Sequence, residues 1–384
     1  MWSIGTRRSG ARALDWIIRW AKSRIIALLG KSPAGRRIWF SYVDLTFTKP
    51  TLRHVRREIS ALMRVVNQDA TMRTRLVYNN SVSPPTYGNF LEVVMLARYL
   101  ALTGFEIDFF VVDCLKGRPE WKSRGLGASY EDEFVRDQIK LARLLLPESA
   151  VVHLVEHSEI ANVCASSETA HTLFNLEVLR EENITAQCVY LLHELVVSSG
   201  SSLPLGFLLD RSQFSFSSNA EPRMRPYIAW HVRRGAWDHE RDSVDSVLRE
   251  DFSELRRRFP EHTIMLFSTA SGTEYAMEAL SGLCGASDFD AGSPILERQP
   301  DNGFVSAIPW VLGADFYYQR LGGGAGWIAL FSHLPYLMVL GDVAYFEGIR
   351  KDCQVMPWAR ENQRCLVLPS QAGRVRLAEV INLT

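Results

Sequence analysis

Short apolar runs of strand length recur along this chain, separated by longer stretches with apolar residues every three or four positions. Residues 107–112, 151–155, 227–232, 263–268 and 336–340 are of the first kind, and strands apolar on both faces belong in a parallel sheet covered on both sides. Residues 90–102 are of the second kind, with Phe90, Leu91, Val94, Met95, Ala97 and Leu100 at helical spacing and Thr103-Gly104 as the stop. Strand 76–80, the irregular loop Ser81-Val-Ser-Pro-Pro-Thr-Tyr-Gly-Asn89, helix 90–102 and strand 107–112 make a βαβ unit. Upstream, the pattern predicts a strand over 38–43 and a basic helix over about 51–67. Downstream it predicts a helix near 132–146, strand 151–155, and helices over 169–180 and 185–197.

A second α/β series follows: strand 227–232, helix 244–259, strand 263–268, helix 274–283, strand 315–318, a glycine loop, helix 327–333 and strand 336–340. Between the two series, residues 211–226 are rich in Ser, Arg and Pro, as an interdomain linker would be. A chain of 384 residues is long enough for two cores. The expected architecture is therefore α/β, with two Rossmann-type parallel-sheet domains, 38–210 and 227–384, facing a cleft where ligands of such folds sit.

Charge is unevenly spread along the chain, with its excess at the N-terminus. With 43 basic and 43 acidic residues the net charge is zero, which argues against a general nucleic-acid binder. Residues 1–37, however, hold nine Lys/Arg against the single acid Asp15, so the remainder is net acidic by eight. Over residues 12–30, Trp16, Ile17, Trp20, Ile25, Ile26 and Leu28 are interrupted by Arg19, Lys22 and Arg24, which fits a basic amphipathic helix and not a signal peptide. Two readings stand: a peripheral contact with the inner face of a membrane, or a helix packed on the protein's own body. No stretch approaches the roughly 20 apolar residues of a spanning helix. The six cysteines are scattered without a CxxC pair or zinc spacing, so no metal site is expected and a reducing, cytoplasmic setting is favoured.

The segment Pro226-Tyr-Ile-Ala-Trp-His-Val-Arg-Arg-Gly-Ala-Trp-Asp238 carries the strongest chemical signal. It places His231, Arg233 and Arg234 at the carboxyl end of a strand, the ligand end of a parallel sheet, and a guanidinium matches phosphate oxygens. Strand alternation puts His231 and Arg233 on one side and Arg234 on the other. The competing explanation is a surface pair bridged to Asp238, Glu240 or Asp242. Gly322-Gly-Gly-Ala-Gly326 lies between a strand and a helix, where Gly323, Gly324, Ala325 and Gly326 either admit a phosphate or make a tight turn. It matches neither a Walker loop nor GxGxxG. Gly88 and Asn89 open the helix of the first domain; Asn89 is either a plain N-cap or a cleft-facing amide.

The Tyr227–Asp238 segment resembles the first motif of the GDP-fucose-using fucosyltransferases (the α1,2-, α1,6- and protein O-fucosyltransferase group), a short strand ending in His-x-Arg with an acid soon after. Gly88-Asn89 is similar to the Gly-Asn of their N-terminal domain, and the glycine loop stands where their Ser-rich last motif stands. The likeness spreads over roughly residues 76–342 and is specific only at His231-Val-Arg-Arg234. It implies a GT-B-like fold with the nucleotide-sugar donor in the C-terminal domain, and inverting transfer to a glycan, lipid-linked or protein acceptor without a metal. It also implies that Arg233 holds the leaving diphosphate, an electrostatic role. Ser268 follows as a donor contact, and Asp238, Glu240 and Glu92 are the candidate general bases, each equally explained as a solvated or salt-bridged carboxylate. Two departures stand out: Phe267-Ser-Thr-Ala-Ser-Gly272 lacks the Asp of the family's middle motif, and glycines replace the serines of the last. A nucleotide-sugar-binding protein without turnover is the second reading. A dinucleotide oxidoreductase ranks last, because it requires a true GxGxxG with an acid about 20 residues on.

Overall fold

The computed structural model describes residues 73–80, 87–113, 128–165, 170–173, 209–213, 226–233, 245–284, 296–298, 303–320, 324–340, 363–367 and 377. The expected N-terminal helix of 1–37, strand 38–43, and helices 51–67 and 185–197 lie outside the described residues, as does most of the 211–226 linker.

The first sheet contains β1 (Arg73–Asn79), β2 (Ile107–Val112), β3 (Val151–Val155) and β4 (Ala170–Leu173) in the order β3-β2-β1-β4. All its pairings are parallel. Between β1 and β2 runs α1 (Tyr87–Leu102), between β2 and β3 runs α2 (Ala128–Leu145), and α3 (Ile160–Cys164) follows β3. Gly104, at φ 100°, ends the turn after α1 in a left-handed conformation, the role its position in the sequence implies. The helix expected at 169–180 is corrected: residues 170–173 pair with Arg73–Leu76 as β4. The open edge of β1 offers a full ladder of backbone hydrogen bonds, which outweighs a helical periodicity.

The second sheet contains β5 (Tyr227–His231), β6 (Thr263–Phe267), β7 (Leu296–Arg298), β8 (Phe316–Arg320), β9 (Tyr336–Leu340) and β10 (Gln363–Val367) in the order β10-β9-β8-β5-β6-β7. It too is parallel throughout. Its helices are α4 (Asp245–Arg258), α5 (Ala270–Ser281), α6 (Phe304–Leu312) and α7 (Ala325–Leu330). The chain is thus α/β with two Rossmann-type parallel sheets, the GT-B-like layout expected. Sequence periodicity missed α3, α6, β7 and β10. Residue Leu209, before the expected linker, already bridges Ser332 beside β9.

Two apolar layers sandwich the second sheet. Ile228, Trp230, Val232, Leu266 and Tyr318 face α4 and α5 in one cluster. Tyr227, Ala229, Met265, Phe267 and Tyr317 face the other way, into a cluster that also holds α1, α6, α7 and the core of the first sheet. Helix α1 is the shared element, buried at every position from Phe90 to Leu100. A helix covered all round lies in a core, and each buried Leu, Val or Phe there contributes about 1.5–3 kcal/mol. Helix α7 packs on α1, and α6 packs on α2. The Tyr87 ring joins the two units, stacked on Phe304 at 4.4 Å and against Phe134 at 4.7 Å. No helix among the described residues is long and apolar enough to cross a membrane.

Candidate functional site

Strand β5 delivers the His231-Val-Arg233 segment to the carboxyl edge of the second sheet. Val232 donates from its amide to the Phe267 carbonyl at 2.9 Å and buries its side chain on the α4–α5 side. Alternation then sends His231 and Arg233 to the opposite side, toward α1, α6 and α7. Both are half-buried. The pKa of His231 falls to about 4, first because burial disfavours the charged ring and second because Arg233 is cationic. The imidazole is therefore neutral at pH 7. Its Nδ1 is buried and makes no hydrogen bond with any described residue. Arg234, Glu240 and Asp238 lie outside the described residues.

A neighbour that the sequence did not single out completes this edge. Gln319 of β8 is in register with His231. Residues opposite one another across a parallel pair share a face, so the amide lies beside the imidazole on the α7 side. Gln319 is 2% exposed, and the hydroxyl of Tyr317 donates to its Oε1 at 2.5 Å. Burial pushes the Tyr317 pKa well up, so that hydroxyl stays protonated and acts as a donor. The available sequence signal was Phe316-Tyr-Tyr-Gln-Arg320, an apolar strand ending in two polar residues at the ligand edge.

The two predicted glycine elements come together, and each glycine has a packing reason. A Cβ on Gly88 would lie 3.0 Å from Nε1 of Trp327 and 3.9 Å from Cα of Gly324. One on Gly324 would meet the Phe304 ring at 3.1 Å and the Tyr87 Cβ at 3.3 Å. One on Gly326 would overlap the Gln319 amide, at 2.7 Å from Oε1 and 2.9 Å from Nε2. The start of α1 and the start of α7 are in direct contact, with Ala325 buried between them and the core. Helix α7 has six residues, too few for a strong dipole. The space beside Gly324 and Gly326 is thus filled by protein side chains, and Gly322 and Gly323 lie outside the described residues.

Asn89 is not an N-cap: α1 begins at Tyr87, so Asn89 lies inside the first turn, half-buried. Tyr87, at the helix start, donates its hydroxyl to Asp137 of α2 at 3.0 Å. Ser268 follows β6, half-buried, and the missing Cβ of Gly272 makes room for its hydroxyl, which would otherwise sit 2.0 Å away. Thr269 caps α5 by accepting from the Gly272 amide. Glu92, a candidate base, is wholly buried in α1. Arg320, at the end of β8, turns to the α4 side and binds both oxygens of Asp251. Among the described residues no three His, Cys, Asp or Glu side chains cluster as metal ligands.

No protein-family model matches the sequence, and no curated protein matches it. Among solved structures, the chain is similar to the heptosyltransferase WaaC of E. coli with ADP-2-deoxy-2-fluoro heptose, at 15% identity and a TM-score of 0.42 over 81% of this chain and 98% of that one. It is similar to a glycosyl transferase family 9 protein of Veillonella parvula at 9% identity and a TM-score of 0.43, over 78% and 86% of the two chains. The UDP-GlcNAc 2-epimerase of Methanocaldococcus jannaschii gives 10% identity and a TM-score of 0.35, over 81% and 92%. Two of these are glycosyltransferases by name, one is an epimerase, and none is a fucosyltransferase. With TM-scores below 0.5, these likenesses do not assign the chemistry of the present site.

Proposed function

We propose that the chain is a nucleotide-sugar-dependent glycosyltransferase whose reaction depends most on Arg233. One observation carries this reading: a neutral His231 and a cationic Arg233 share a face at the carboxyl edge of the second sheet, where the first unit's α1 meets α7. A parallel sheet binds its ligands at this edge, and a permanent cation there suits a diphosphate. In the reaction, an acceptor oxygen attacks the anomeric carbon and the bond to the diphosphate breaks. Its electron pair passes to the departing phosphate oxygen, where Arg233 offsets the growing charge. The acceptor's proton goes to a carboxylate, for which we nominate Asp238. Arg234 supports the diphosphate from the loop, and Ser268 lies at the adjoining strand end.

Finer features belong to the same proposal. GDP-fucose is the donor that the sequence resemblance implies, with inversion at the anomeric carbon and no divalent ion. The acceptor, a glycan, lipid-linked sugar or protein, enters past Gly88 and Asn89. Residues 12–30 would hold the enzyme at a membrane surface.

The test is a panel of GDP-fucose, ADP-heptose and UDP-N-acetylglucosamine, each scored for thermal stabilisation and for hydrolysis or transfer. Arg233→Ala is expected to keep the melting temperature of the wild type and lose at least about 100-fold in turnover, the usual effect of removing one transition-state charge partner. Full activity in that variant would overturn the assignment. Binding without turnover in the wild type would make the protein a nucleotide-sugar receptor.

A further inference from the structure

We infer that Gln319 is a donor-sugar recognition residue, reading a hydroxyl of the transferred sugar together with His231. The inference rests on the glycosyltransferase reading above and adds a residue and a ligand group to it. Gln319 is almost completely buried, yet its Nε2 makes no hydrogen bond with any described residue. An amide donor with no partner among the described residues, at the ligand edge of the sheet, is available to an acceptor from outside. Its orientation is set from below. The Tyr317 hydroxyl must donate, and it takes Oε1, which leaves the NH2 group as the free end. The missing Cβ of Gly326 provides the space in which that amide lies.

The neighbour on β5 supplies the complementary half. His231 stands in register beside Gln319, neutral at pH 7, and a neutral imidazole offers one donor and one acceptor nitrogen. An amide donor next to a neutral imidazole suits a group that both accepts and donates, which is a hydroxyl. A phosphate oxygen only accepts, and the cation that suits it, Arg233, lies beyond the strand end. The pair also sits deeper along the strands than Arg233, so the sugar would point into the sheet edge and the diphosphate outward.

Each nucleotide sugar of the panel, paired with its own nucleoside diphosphate (GDP-fucose with GDP, ADP-heptose with ADP, UDP-N-acetylglucosamine with UDP), is titrated into wild type and Gln319→Leu by calorimetry. The expected result is that the sugar nucleotide which the wild type binds loses roughly tenfold in affinity, the worth of one hydrogen bond, while its nucleoside diphosphate binds as before. A merely structural role would not separate the two ligands. Tyr317→Phe keeps Gln319 in place and removes only the hydroxyl that orients it. It is expected to weaken the sugar nucleotide several-fold and leave the diphosphate unchanged, and it carries the test if the leucine variant does not fold. Equal losses for both ligands, or no loss for either, would overturn the role of Gln319 and leave the glycosyltransferase reading standing. Failure of the wild type to bind any member of the panel would overturn both.

Discussion

Replacing Asp251 with Ala tests how the second sheet secures its ligand edge from behind. Asp251 on α4 is 1% exposed and Arg320, the last residue of β8, is 2% exposed. The guanidinium donates from Nε to Oδ2 at 2.9 Å and from NH2 to Oδ1 at 2.7 Å, and the Tyr318 hydroxyl donates to Oδ2 at 2.8 Å. Burial works against the charge on Arg320, but Tyr318 and Asp251 outweigh it and hold its pKa above the ordinary value. Breaking a buried pair from one side costs about 3–5 kcal/mol, and the Tyr318 hydroxyl losing its acceptor adds about 1 kcal/mol. The expected total of about 4–6 kcal/mol is comparable to the whole stability of many domains. Urea unfolding followed by tryptophan fluorescence reads it, since Trp230 is buried with its ring 6.3 Å from Tyr318. The double variant Asp251→Leu with Arg320→Met removes both charges and is expected to be more stable than Asp251→Ala alone. A loss below about 1 kcal/mol in Asp251→Ala, or a double variant costing the sum of its singles, would refute the account.

Two further outcomes follow from the site itself. The folded pKa of His231 lies near 4 against about 6.5 for a free imidazole, so stability is fully present above pH 6.5 and is lost as pH falls toward 4. The loss is roughly 3 kcal/mol, and unfolding curves at pH 7.5 and 4.5 should show it in wild type but not in His231→Phe. Gly88→Val would drive a side chain against the Trp327 ring, which already stands 3.0 Å from the position of a Cβ. A loss of about 1–3 kcal/mol is expected, partly restored by Trp327→Ala in the same chain, whereas a neutral Gly88→Val would show that the start of α1 does not abut α7 in solution.

Strands of the second sheet were legible because they are buried on both faces. Tyr227–His231, Thr263–Phe267 and Tyr336–Leu340 read as apolar runs, and each forms a strand over those residues. Helix α6 was not legible. Pro309 lies inside it, and its sequence Phe304-Val-Ser-Ala-Ile-Pro-Trp-Val-Leu312 lacks a polar face because it is packed between α2, α7 and the sheet. Residues 170–173 misled for the opposite reason: their pattern suits a helix, and only the distant edge of β1 makes them a strand. In the site, His231 and Arg233 were legible because the polar residues follow directly on an apolar strand. Gln319 was not, since its significance depends on lying beside His231, a pairing between residues 88 positions apart.

The glycines show where sequence reasoning about a ligand site reaches its physical limit. A glycine between a strand and a helix signals that something approaches the backbone more closely than a Cβ allows, but it does not say what. At Gly88 the approaching group is the indole of Trp327, at Gly324 the ring of Phe304 and the Cβ of Tyr87, and at Gly326 the amide of Gln319. The contact of Gly88 with Trp327 and that of Gly324 with Tyr87 are between the two units, so those glycines set how closely α1 and α7 meet. The third is within the second unit and fixes the orientation of a site side chain. At Gly324 and Gly326 the close approach is thus made by protein side chains, while Gly322 and Gly323 lie outside the described residues. The close packing brings the first unit's helix to the edge where Arg233 emerges, so the distance between the units is set by glycines while the charge is supplied by the strand.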